Sequence, residues 1–425
     1  MRRSISVLLL VAALTAVSAA QEPIVLRMFS GYSNDGTPGY AVLDPYLRMY
    51  EAMNPHVRIE NMGREHDMDK VITMFVGGEG PDIVEGGTIH LLRLYNAGLL
   101  ATVPSRLADR LHQEIFPISV QSLTIDGRLI GVPVENMTTG LVYNKLLLNE
   151  SGYGEPPRDV AEFEEMGRRL SRYDDQSVIT RPGAADPGEG WTLHYQMLAM
   201  LKAEGGQVLD ADRNLALDSA ATHRVFQMFY DWAGGPARDG FLGLGWHWYE
   251  AFNMGDVPMM FGFPWYLGNI QSAYDGDFVR DFGAVPLPAG SQGVGAMHYG
   301  HGYGVSSMTP HADEAWKLLE WLSLVQGDQG ITPLGHTMAA IGSLPLAQAD
   351  LAAPHFADQL PVYHGFIESL ADAWSETAWA EVGVTYVNIG YEFLPVLNGE
   401  KSIVQGVADL VLKNVRDMEE YQRTR

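Results

Sequence analysis

Trp265 ends the stretch MMFGFPW at a corner bounded by Gly262 and Pro264. Loops are usually polar, so an indole at such a corner either plugs a local core or offers a flat face for a solute. Glu85 closes PDIVEGG, where an ionised carboxylate accepts paired hydroxyl hydrogen bonds with the added strength of its charge. Gly86 and Gly87 beside it let backbone approach a bound molecule closely. Asn136, between Glu135 and Met137, brings a donor and an acceptor together, which suits sugar hydroxyls or the capping of nearby backbone. Trp191, His194 and Tyr195 make an aromatic and polar cluster at a helix start. Phe261, Phe263, Trp316, Trp321 and Met197, Met200, Met259 and Met260 read as core, as do Trp246 and Trp248 on a short amphipathic stretch.

This is an inventory for holding a molecule rather than transforming it. His298 and His301 in HYGHGYG resemble a metal pair, but no HExxH pattern or third nearby ligand accompanies them. Tyr299 and His301 are therefore expected to form a wall, and no metal or cofactor is expected. No nucleophile elbow occurs, and the chain has no cysteine, which removes thiol catalysis, disulfides and Cys-ligated zinc. Acids are spread throughout, so a glycosidase with carboxylates about 5–9 Å apart is the rival from another class.

The elements that must position these residues alternate. Ile24 to Phe29 reads as a strand, AVLDPYLRMYEAMNP as a helix, HVRIENM as a strand, DMDKVITMFVGGEG as a helix and PDIVEGG as a short buried strand. That is the rhythm of a parallel α/β sheet. After GRLIGVPVENMTTGLVYN, extended and broken by Pro133, the pattern starts again, with helices in DVAEFEEMGRRLSRY, TLHYQMLAMLKAEGG and AATHRVFQMFYDWAGG. VPMMFGFP and FGAVPLP read as strands, and the glycines of HYGHGYG are expected to permit unusual backbone angles at a crossover. The remainder is mostly helical.

With 425 residues the chain exceeds one compact core, and no tether-like linker separates its parts. Arg2 and Arg3, an apolar run and Ser18-Ala19-Ala20 give residues 1–20 the order of a secretory signal peptide. A mature periplasmic protein without a lipid-bearing cysteine is expected. The net charge of −24 repels phosphate backbones and anionic lipid, so nucleic acid and membrane surfaces are poor partners.

Four segments, taken in order, resemble the extracellular solute-binding proteins of ABC importers, the family that includes the maltose-binding protein. They are GGEGPDIVEGGTIHLLRLYNAGLL, GRLIGVPVENMTTGLVYNKLLLNESGYGEPPRDVAEF, FNMGDVPMMFGFPWYLGNI, and FGAVPLPAGSQGVGAMHYGHGYGVSS followed by EAWKLLEWL. The resemblance implies a two-lobed α/β fold of the periplasmic binding protein type, with a hinged cleft and a membrane permease as partner. The implied lobes are 21–136 plus 302–355 and 137–301 plus 356–425. It places Trp265 and Tyr32 on the cleft, together with an aromatic from Trp374, Trp379 and Tyr386, and it brings Trp191 and Tyr195 there too. By ungapped register the maltose-binding protein's cleft Trp and Asp fall on Gly86 and Ile89, so the solute need not be a maltodextrin. A monomer that binds a carbohydrate without turning it over is expected; a glycerol phosphodiester or a polyamine is the alternative.

Overall fold

A computed structural model describes residues 23–31, 42–63, 65, 67–327, 329–384 and 386–424. The expected leader and Tyr32 lie outside these residues.

Two mixed sheets organise the chain. In the first, Val57–Asn61, Ile24–Phe29 and Ile83–Gly87 run parallel, and His301–Ser306 returns antiparallel beside Ile83–Gly87. Val57–Asn61 alternates buried and exposed residues as an edge strand should, whereas Ile83–Gly87 is buried throughout because neighbouring strands and helices enclose it. In the second sheet the order is Leu242–Leu244, Ala184–Asp186, Met259–Gly262, Gly140–Asn144 and Phe282–Val285, the first three parallel. Side-chain caps start several flanking helices: Asp67 accepts from the N–H groups of Asp69 and Lys70, Asn144 from Leu146 and Leu147, and Ser219 from Thr222.

A third sheet of three short strands, Ala373–Ser375, Ala296–Tyr299 and Met137–Thr138, lies where the chain passes between the larger two. The second sheet rests on an aromatic core in which Phe163, Phe229, Trp232, Phe241 and Phe261 lie with ring centroids 5.0–6.2 Å apart. The methionines expected inside are fully enclosed. Trp316 is buried, and Trp321 is half-buried against Tyr46 and Tyr50.

Two expectations need correcting. Gly300, Gly302 and Gly304 do not serve unusual backbone angles, since none has a positive φ. They lie in or beside paired strands, and two of them are small because neighbours press close. A Cβ at Gly302 would meet Leu123 Cδ1 at 2.6 Å, and one at Gly304 would meet Leu100 Cδ1 at 2.8 Å. Trp246 is not core: it keeps 40% of its surface exposed, because its helix begins at the open end of the second sheet.

Candidate functional site

The parallel strands of the first sheet end at Phe29, Asn61 and Gly87. Glu85 is buried there, and its Oε2 accepts the N–H of Gly31 at 2.6 Å. Its Oε1 lies 2.7 Å from His301 Nδ1, and His301 Nε2 lies 2.6 Å from the Tyr299 hydroxyl. With Nδ1–H directed at Glu85, Nε2 is left to accept from Tyr299. Register explains the meeting: Glu85 pairs with Tyr303, which places His301 diagonally across the same face. The sequence points to Glu85 and, apart from it, to Tyr299 with His301; the fold joins all three in one relay.

The ends of the second sheet differ in kind. Asp186, Leu244 and Gly262 close its parallel strands, and the loops beyond carry aromatics. Trp191 stacks on Phe263 with centroids 6.0 Å apart and planes 15° from parallel. Trp265 stands half-buried at the start of the Tyr266–Ala273 helix, edge-on to Tyr266 at 4.3 Å. Tyr266 is the plug at this corner, fully buried, which leaves the indole partly uncovered.

Tyr195 joins the two ends, with its ring 5.6 Å from Phe263 and 5.3 Å from Tyr299. Its hydroxyl donates to Glu376 Oε1, while Glu376 Oε2 accepts from Thr88 Oγ1 at 2.7 Å. Burial raises the Glu376 carboxyl above its ordinary range and pushes the Tyr195 hydroxyl well above its own. A buried carboxylate thus ties the first residue after Ile83–Gly87 to the helix carrying Trp191. Glu376 was missed in the sequence, where the one available signal was a lone acid among the aromatics of AWSETAW.

The other nominated residues take different places. Asn136 is fully buried: Nδ2 donates to the Pro345 carbonyl at 2.9 Å, and Oδ1 accepts from Ser119 Oγ. Both ends of this amide hold crossing segments together, the backbone role that was the alternative to sugar contact. Trp379 is enclosed and packs edge-on to the half-buried Trp374 at 5.6 Å. Tyr386 stacks on His194 at 3.9 Å, and His194 in turn meets Tyr195 edge-on. Burial drops the His194 imidazole to about 3, so it is neutral. Tyr391 is 46% exposed with its ring 6.3 Å from that of Tyr386. Nothing in its helical context marked it, because exposure depends on how the last helices pack.

Among the described residues, no group of three or more His, Cys, Asp or Glu side chains is arranged to hold a metal ion, and no helix is long and apolar enough to cross a membrane. The arrangement offers a charged hydrogen-bond acceptor and hydroxyls on one side and aromatic faces on the other. A ring with an apolar face and a polar rim satisfies both.

The family profile described as "Bacterial extracellular solute-binding protein" matches residues 46–341. The chain is 24% identical over 388 residues to the maltotriose-binding protein of Pyrococcus abyssi, covering 86% of this chain and 78% of that protein. In fold it is similar to the GacH receptor of Streptomyces glaucescens, solved unliganded and with acarbose, at a TM-score of 0.76 and 21% identity, covering 94% and 99% of the two chains. UgpB of Mycobacterium tuberculosis in complex with glycerophosphocholine is similar at a TM-score of 0.76 and 16% identity, covering 94% and 99%.

Proposed function

The chain belongs to the bacterial extracellular solute-binding proteins, and from that premise we propose that it captures a carbohydrate between its two lobes and delivers it to the permease of an ABC importer. One observation carries the reading. The exposed and half-buried rings of Trp191, Trp265 and Tyr391 lie at the strand ends of one sheet, and the Glu85–His301–Tyr299 relay lies at those of the other, bridged by Tyr195. Aromatic faces remove the C–H face of a pyranose from water, while the relay receives hydroxyls at the rim. The lobes are drawn at 21–136 plus 302–355 and 137–301 plus 356–425, and the mature protein is a periplasmic monomer with no catalytic role, metal, cofactor or nucleic-acid partner.

A glycerol phosphodiester is the second reading, favoured by the likeness to UgpB. Glu85, Glu189 and Glu376 count against it, because a phosphate calls for convergent cations and these carboxylates repel it. The test is thermal melting against a panel of oligosaccharides and glycerol phosphodiesters. A glycan should raise the melting temperature in proportion to the logarithm of its concentration and be recovered uncut. A shift with glycerophosphocholine alone, or cleavage of the glycan, contradicts the proposal.

A further inference from the structure

Glu189 has no part in the relay or in the bridge, yet it organises the aromatic wall. It ends the turn after Ala184–Asp186 and precedes the Gly190–Ala203 helix. Its Oε2 accepts the indole N–H of Trp191 at 2.6 Å, and its Oε1 accepts that of Trp246 at 2.7 Å. Each indole thereby spends its single polar group, and what remains for a visitor is π surface. Trp246 is 40% exposed and Tyr391 46%. Tyr391 lies over the turn so closely that a Cβ on Gly190 would meet its Cδ1 at 2.3 Å.

The charge at this place is uncompensated. Among the described residues Glu189 enters no ion pair, and its two partners are neutral indoles. Three residues earlier, Asp186 is fully buried, with Oδ1 accepting from Gly188 N–H at 2.7 Å and from Thr192 Oγ1 at 2.8 Å. Its Oδ2 has no partner among the described residues. A neutral sugar ring needs donors as well as acceptors around its rim, and here the N–H donors are already consumed. An ammonium group gains twice: the negative faces of Trp and Tyr rings attract a cation, and a carboxylate gives it a charge-assisted hydrogen bond.

We propose that Glu189, Trp191, Trp246 and Tyr391 form a subsite for a protonated amine, so that the solute is an amine-bearing carbohydrate. This rests on the carbohydrate reading above and narrows it.

The experiment is calorimetric titration at about pH 6 with glucosamine and galactosamine oligomers, each matched to its N-acetylated counterpart, and with choline and putrescine alone. Wild type and Glu189→Gln are compared, with thermal melting to confirm that the variant folds. The expected result is about tenfold tighter binding of an amine-bearing glycan than of its neutral twin, weakening with salt. Glu189→Gln should erase the difference, bringing the amine-bearing glycan and its neutral twin to the same Kd. Equal affinities in wild type, or equal weakening of both twins in the variant, overturn the subsite while the carbohydrate reading stands. Choline or putrescine binding as tightly as the best glycan overturns the sugar part. Failure of every glycan, amine-bearing or neutral, overturns both readings.

Discussion

At the strand ends of the first sheet the chain places Glu85, Gly86, Gly87 and His301; at those of the second it places Trp191, Phe263 and Trp265, with Trp246 and Tyr391 further out. Both sheets have parallel strands with a mixed edge, so the backbone offers the same kind of crevice twice. The side chains make the two unlike. The first is small, polar and fixed by register, since Glu85 and His301 meet as cross-strand neighbours. The second is broad and apolar, and it depends on loops and helix starts. A cleft built from one of each can orient a solute by its rim and hold it by its face.

The largest expected effect concerns the residues behind the walls. Burial holds His194, under the aromatic side, and His298, in the connecting sheet, at about 3. The unfolded chain takes up these protons first, near pH 6.5, so the stabilisation is complete above that pH and is lost as pH falls toward about 3. The loss is on the order of 5 kcal/mol for each at the acid limit. Denaturant titrations between pH 7 and 4 should record it, and His194→Gln should flatten the profile; a pH-independent midpoint in wild type contradicts the assignment.

Breaking the tie between the walls comes next. Glu376→Ala leaves the buried hydroxyls of Tyr195 and Thr88 without their acceptor and should cost about 2–4 kcal/mol in a urea denaturation. Glu376→Gln, which keeps an acceptor, should cost less than Glu376→Ala. Equal costs would mean that packing alone is at stake. On the polar wall, Glu85→Gln should weaken glycan binding by about 1.5–3 kcal/mol, read by calorimetry, because a charged acceptor becomes neutral. An unchanged Kd removes Glu85 from the site.

The smallest effect is a gain. Burial raises the Asp186 carboxyl to about 6, so the folded chain binds its proton more tightly than the unfolded chain and stability falls as pH rises from about 4 to 6. Asp186→Asn should therefore be more stable than wild type by about 1–2 kcal/mol at pH 7.5 and no more stable at pH 4, measured by denaturation at each pH.

The polar wall was easier to read in the sequence than the aromatic one. The alternation of strands and helices from Ile24 to Gly87 is a periodicity signal, and a carboxylate at the end of a buried strand stands out against it. His301 was nominated with Tyr299, but their pairing with Glu85 spans 216 residues and follows from strand register, which no local pattern encodes. Trp246 reads as core because an amphipathic stretch looks alike whether its aromatics face inward or across an open strand end. Tyr391 and Glu189 carried no signal at all: one sits in an ordinary apolar helix, and the other is one of 52 acids. Asn136 failed differently, since an amide suited to sugar hydroxyls is equally suited to backbone, and the crossing segments claimed it first.

Trp265 tests the central claim most directly, because the proposed reading has the aromatic wall meet the solute there. Calorimetric titration of a glycan that shifts the melting temperature should give Trp265→Ala a loss of about 1–3 kcal/mol in affinity. Trp321→Ala, which removes an indole packed on Tyr46 and Tyr50, should leave the Kd at the wild-type value. Equal affinity in wild type and Trp265→Ala would contradict the account.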